Sequence, residues 1–341
     1  MRLPYMILLA CSLATAACGG DSTAPPEPDE FDPVALQAGV DRILNGNAVP
    51  ELSIFNEGID EIADYLGGIG FIASRGPNWP RATRLSASVT AFPEAFKGLT
   101  YEWDTAEDGY DDTAALGAPA TGTRFLVYEV NGLAFAEPLI EAGYIDLLDV
   151  SHGPAVAVRL LAEIDGATQA DITAASTGTL QDGTLGLVGF FGTGAGRVEF
   201  DVDAVNTVTA DGTASTYVGA FAVPGSDLNV AVETDVDRTP ALVTYSSQIS
   251  IVGPGGAVEL DGDFDGETFT GVARVNGTLY ANITFEGAAP PVITGAGEVV
   301  LTNAQDQLFA RSVELLQAPP DFLDALLPPF LFPLEVELGD A

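Results

Sequence analysis

The sequence predicts a mainly β protein, a β-rich α+β chain built as a large curved antiparallel meander sheet or incomplete barrel with N- and C-terminal helices packed on one face. Three observations predict it. Between residues 84 and 300 apolar and polar side chains alternate: Val198, Phe200 and Val202 with Glu199, Asp201 and Asp203, and Leu279, Ala281, Ile283 and Phe285 with Tyr280, Asn282, Thr284 and Glu286. A period of two buries one strand face and leaves the other wet. Secondly, Asn131-Gly132, Asp165-Gly166, Asp182-Gly183, Asp211-Gly212, Asp265-Gly266 and Asn276-Gly277 recur between the alternating runs. Such dipeptides supply the positive φ of tight hairpins, and hairpins joined in order make a meander of roughly ten to fourteen strands. Thirdly, the apolar period lengthens to near four at both ends of this region, as on one face of a helix.

Taken in chain order, residues 1–17 read as a secretory signal peptide: Arg2, an apolar run over 3–13, then Ala14, Thr15, Ala16 and Ala17 before Cys18. The apolar run is shorter than the roughly 20 residues of a spanning helix. A cysteine directly after small residues resembles the lipobox of bacterial lipoproteins, with Thr15 where such motifs usually carry Leu. Leu8-Leu9-Ala10-Cys11 fits the local pattern too, but a cut there leaves too short an apolar segment. The resemblance implies that Cys18 is the acylated first residue and that the mature chain sits in the bacterial cell envelope, at the outer membrane, facing the periplasm or the surface. Residues 18–31 then form the lipidated cysteine and a Gly/Pro tether. Of the two cysteines, Cys11 leaves with the signal peptide, so no intramolecular disulfide remains available.

Residues 32–341 are expected to be a single β-rich domain: helical over 32–68, antiparallel strands over 84–300, and a helical and apolar C-terminal segment over 302–341. Asp32-Pro33 is an N-cap and first-turn pair, followed by the stripe Leu36, Val40, Ile43 and Leu44. Phe55, Ile59, Ile62 and Leu66 predict a second helix ended by Gly67-Gly68. At the other end Thr302 and Gln305 form a capping-box pattern ahead of Leu308, Phe309, Val313, Leu315 and Leu316. The apolar stretch 322–334 is interrupted by Pro328, Pro329 and Pro333 and is too short to span a membrane. Within the strand region, 125–130, 185–191 and 217–223 are apolar or small on both faces, which predicts cover on both sides. A transmembrane β-barrel is the competing architecture; carboxylates paired and tripled on the polar faces argue against it.

Composition narrows the function. The 49 acidic residues stand against 12 basic ones, for a net charge of −37, while 47% of residues are hydrophobic. Such a field repels phosphate, so the partners are expected to exclude nucleic acid, and membrane contact is expected through the N-terminal acyl chain. The single histidine, His152, excludes HExxH and multi-histidine zinc sites. No G-x-S-x-G elbow accompanies it, and Gly192, Gly194 and Gly196 lack the Lys-Ser/Thr of a phosphate loop. No catalytic residue set emerges, and the expectation is a protein that is not an enzyme and carries no cofactor apart from a candidate calcium ion. That candidate is Asp261, Asp263 and Asp265, in the D-x-D-x-D-G order of a calcium loop, with Val272 where the bidentate Glu belongs. The same residues also fit an acidic strand face entering an Asp-Gly turn, with parallel rather than converging carboxylates. Asp104, Glu107, Asp108, Asp111 and Asp112 form a second acidic loop.

Two functions fit. One is an anchored envelope lipoprotein that binds or carries an apolar ligand such as a lipid. In outline this resembles lipoproteins of the LolA/LolB and LppX/LprG type, which shelter acyl chains in an incomplete barrel. The other is a non-enzymatic surface or scaffold module with an acidic, calcium-binding face. Leu99 to Asp104 and Gly117 to Leu148 are similar to predicted bacterial lipoproteins, a group from which no active residue carries over.

Overall fold

The structure, a computed structural model, describes residues 31–45, 96–106, 109–113, 116–131, 134–153, 155–178, 182–286 and 289–316. The signal peptide, Cys18 and its tether, the expected second helix at 55–66 and the apolar stretch 322–334 lie outside these residues.

The alternating sequence folds as strands β1 (Thr100–Asp104), β2 (Gly109–Thr113), β3 (Gly122–Tyr128), β4 (Val130–Asn131), β5 (Ala134–Phe135), β6 (Glu141–Asp149), β7 (Val156–Ile164), β8 (Ala167–Gly178), β9 (Gly183–Phe191), β10 (Val198–Val208), β11 (Thr213–Val223), β12 (Leu228–Arg238), β13 (Val243–Gly253), β14 (Gly256–Phe264), β15 (Thr268–Val275), β16 (Thr278–Glu286) and β17 (Val292–Gly295). Fifteen of them form one sheet in the order β17 down to β6, then β3, β1 and β2, while β4 and β5 make a separate hairpin. The sheet exceeds the expected strand number because the loop-like stretches near residues 100–113 and 292–295 also pair. It is mixed rather than purely antiparallel, since β1 runs parallel to β3. Among the described residues it does not close, with β17 and β2 as its edges. No helix among the described residues is long and apolar enough to cross a membrane.

Helices α1 (Pro33–Asn45) and α2 (Asn303–Glu314) both lie on one face of the sheet. The Asp32 carboxylate accepts hydrogen bonds from the Val34 and Ala35 amides at 3.0 and 3.1 Å, which satisfies amides that have no intrahelical partner. At α2 the expected capping box is present, Thr302 and Gln305 each bonding the other's backbone. Leu36, Val40 and Ile43 of α1 are buried, as are Leu308, Phe309, Leu315 and Leu316 at α2. The stripes therefore face the sheet and each other, and Arg311 of α2 reaches Asp41 of α1 at 3.2 Å.

The strand ends define two rims. The near rim carries the turns 165–166, 192–197, 224–227, 253–256 and 276–277; the far rim carries 150–153, 209–212, 239–242 and 265–267. The helices meet the sheet at the near rim: the Asp32 amide donates to Gly255, Leu36 packs on Gly253 and Gly255, Gly39 lies on Leu228, and Arg42 donates to the Ala195 carbonyl.

Two turns have the backbone their sequence predicts: Asp165 and Gly166 at φ 53° and 72°, Asn276 and Gly277 at 49° and 79°. Asp211-Gly212 does not, having no positive φ; there a Cβ on Gly212 would lie 1.9 Å from the Arg238 carbonyl oxygen, so glycine serves close strand approach. The expectation of two covered faces also fails for 185–191 and 217–223, because Val188 and Val218 are exposed on the outer face. Their apolarity reflects small and β-branched residues on a pleated open surface rather than burial.

Candidate functional site

Inner-face residues pair across strands in continuous rows, and the row nearest the far rim is aromatic. Tyr245 lies opposite Phe264, Phe264 opposite Phe269 and Phe269 opposite Phe285. These four rings come from four successive strands because every register falls in step, so one row of the sheet becomes a ladder. Tyr245 and Phe264 stack at 4.9 Å and 18°, Phe269 and Phe285 at 4.6 Å and 14°, and Tyr245 and Phe269 lie 6.1 Å apart. Offset stacking at such separations adds to the area each ring buries.

The next row inward is small and polar: Thr234, Ser247, Gly262 and Gly271. The Phe269 ring leans over its two glycines, so a Cβ on Gly262 would sit 2.3 Å from the ring, and one on Gly271 would sit 2.8 Å from it. Ser247 donates its hydroxyl to Thr234 at 3.1 Å, and both are buried. Tyr245, Phe264 and Phe285 are half-buried, and desolvation pushes the Tyr245 phenol above its ordinary range. A half-covered apolar strip with one hydroxyl pair beside it can take an apolar chain or ring; it holds no nucleophile and base pair.

The residues singled out in the sequence are dispersed. Asp261 and Asp263 project from the outer face of β14, and Asp265 lies in the turn after it. The Asp261 carboxylate accepts from Gln248 at 2.9 Å and pairs with Arg274. Asp265 accepts from the Glu267 and Thr268 amides at 3.0 and 2.9 Å, and those amides hold its carboxyl below the usual range. Asp263 faces Ser246 and Thr270 across the strands. The strand-face arrangement is thus the one adopted, and among the described residues no group of three or more His, Cys, Asp or Glu is set to hold a metal ion. A cation here would compete with Arg274. His152 is exposed in the β6 to β7 connection, where its amide and carbonyl bridge to Ala155. Gly194 and Gly196 form a single 3-10 turn between β9 and β10. In the other acidic loop Asp104 caps the Ala106 amide at 2.7 Å, and Asp111 and Asp112 are exposed on β2.

The outer face divides by charge. Over β3 to β10 the arginines are paired: Arg124 with Asp146 through two bonds of 2.7 Å, Arg159 with Asp171 at 2.7 and 2.6 Å, and Arg197 with Glu199 at 2.8 Å. Arg124 also stacks on Tyr144 and Arg197 on Phe190, at 3.5 and 3.6 Å. Over β10 to β14 the face carries Asp201, Asp203, Glu233, Asp235, Glu259, Asp261 and Asp263, and burial together with Asp201 holds the Asp203 carboxyl above its usual range.

The ladder was not singled out in the sequence. Its signal is the pair Phe264 and Phe269 bracketing the Asp265-Gly266 turn, a placement that puts two rings opposite each other in the first pair of a hairpin. No family model matches the chain, and no curated protein or solved structure is significantly similar to it.

Proposed function

We infer that this protein is an anchored envelope lipoprotein that binds an apolar ligand such as a lipid on the inner face of its sheet. The observation that carries the reading is the ladder Tyr245, Phe264, Phe269 and Phe285, half-buried apart from Phe269, set on the same face as the core but away from the near-rim contacts of α1 and α2. Aromatic surface left half in water loses free energy that a ligand restores on covering it, at about 25 cal/mol per Å² of apolar area. The test is to purify the full chain from membranes and compare native with denatured mass spectra. A stoichiometric apolar adduct, together with an acyl mass on Cys18, supports the reading. A protein that is empty and takes up no added fatty acid contradicts it.

The acidic outer face favours a second reading, a non-enzymatic scaffold module whose face over β10 to β14 binds calcium or a cationic partner. Calcium titration by calorimetry separates the two: heat that disappears in Asp261→Asn and Asp263→Asn supports the scaffold, and no heat removes calcium from it.

A further inference from the structure

We propose that the ligand of the inner face is an anionic amphiphile of the fatty acid class, its carboxylate held by Arg238 and its acyl chain laid along the aromatic ladder. The inference deepens the apolar-ligand reading above and rests on it. That reading names a tail; the geometry of β12 supplies the head.

Alternation decides which face Arg238 occupies. In β12, Leu228, Val230, Val232 and Thr234 are buried on the inner face, while Glu233, Asp235 and Asp237 are exposed on the other. The pairing with β11 and β13 continues without a shift as far as Arg238. Val236 and Arg238 therefore extend the inner row, both half-buried, and the Arg238 Nε atom is itself buried. Every other inner position of β10 to β16 carries an uncharged side chain. The guanidinium thus breaks the pattern of seven strands at one place. A carboxylate matches it in shape as well as charge, because the planar fork offers two parallel donors.

Its place beside the ladder matters as much as its charge. Val236 lies opposite Tyr245, the first ring, and Arg238 is the next inner residue toward the far rim, opposite Val243. Arg238 is thus a diagonal neighbour of Tyr245, at the roughly 7–8 Å that long side chains bridge on one sheet face. On its other side, β11 places Thr213 opposite Arg238 and Ser215 opposite Val236, and Asn206 of β10 follows Ser215 in the same row. All three are half-buried. The far-rim end of the inner face is therefore split: hydroxyl and amide groups over β10 and β11, rings over β13 to β16, and Arg238 at the boundary. An amphiphile is split the same way. From β12 to β16 the row crosses five strands, about 19 Å at roughly 4.8 Å per strand spacing, which suits a long acyl chain rather than a short one.

The carboxylates at this end do not share the inner face. Asp235 and Asp237 project outward from β12, and Asp182, Asp211, Asp265 and Glu267 lie in or beside the turns. They repel an anion that approaches through water. Affinity then comes mainly from covering the tail, while the choice of head is made at Arg238.

The test titrates the purified full chain with dansyl-labelled undecanoic acid and, separately, with the primary amide of the same molecule. The acid is expected to bind at least about tenfold more tightly than the amide, the margin of a charge-assisted pair over neutral hydrogen bonds. Arg238→Gln is expected to abolish that preference and leave the affinity for the amide unchanged. Arg274→Gln, which removes a base paired with Asp261 on the outer face, should keep it. Because the preference is a ratio taken within each variant, a general loss of stability does not imitate it. Equal binding of acid and amide by the parent, or an unchanged preference in Arg238→Gln, overturns the assignment of Arg238 and leaves the apolar-ligand reading standing. Binding of neither probe overturns both.

Discussion

Two groups of aromatic side chains occupy this one sheet and are covered to different extents. At the β1 to β5 end, Tyr101, Trp103, Tyr110, Phe125, Tyr128 and Phe135 interlock. Trp103 meets Tyr110 and Phe135 edge-on at 5.2 and 5.0 Å, and Tyr110 meets Phe125 edge-on at 5.2 Å. Of these, Tyr101, Tyr110, Phe125, Tyr128 and Phe135 are buried. At the far rim of β13 to β16 the rings come in register from consecutive strands, stack nearly parallel, and remain half-buried apart from Phe269. Rings from β1, β2, β3 and the β4 to β5 hairpin fill volume. A ladder on one row presents a surface. The buried cluster holds a near-parallel pair of its own, Tyr101 and Phe125 at 4.9 Å and 15°, so neither aromatic content nor stacking separates core from site; cover does.

The largest expected effect tests that separation through stability. Phe125→Ala removes a fully buried ring and is expected to cost about 3–5 kcal/mol in urea unfolding. Phe264→Ala removes a half-buried one and is expected to cost about 1–2 kcal/mol. Equal costs would make the ladder an ordinary part of the core.

Gly262→Ala puts a methyl group 2.3 Å from the Phe269 ring and is expected to destabilise by about 1–3 kcal/mol. Phe269→Leu in the same chain should recover part of that loss, because the two changes share one contact. Strict additivity would show that the ring does not rest on the glycines.

Alkaline titration gives a smaller effect. Burial pushes the Tyr101 and Tyr110 phenols well above their ordinary range. The folded state then holds these protons where the unfolded chain has begun to release them. The associated stability is complete below about pH 10 and falls as pH climbs beyond it. Unfolding midpoints measured between neutral pH and pH 11 should therefore drop, and Tyr101→Phe with Tyr110→Phe should flatten the drop. A decline of the same size in the double variant would place its origin elsewhere.

Local chemistry made much of the fold legible. Asp32, Thr302 and Gln305 marked helix starts through their own hydrogen bonds, and the stripes at 36, 40 and 43 and at 308 and 309 are the buried ones. Alternation identified the inner residues of β10, β14 and β16. What could not be read was pairing at a distance. The parallel contact of Thr100 with Arg124 depends on no local pattern, and the open outer face at Val188 and Val218 depends on what fails to cover it. The ladder needed four strands in one register, which single-strand alternation does not state. Asp261 shows the reverse case: its motif was legible, yet its cross-strand neighbours Gln248 and Arg274, which occupy it, were not.

The most direct test of the ligand reading is a titration of the soluble chain from residue 19 with a fluorescent fatty acid, repeated with Phe264→Ala and Phe285→Ala combined. Saturable binding by the parent, weakened at least about tenfold in the double variant, a loss of about 1.4 kcal/mol, is the predicted result. No uptake by the parent, or equal affinity in both proteins, would contradict the account.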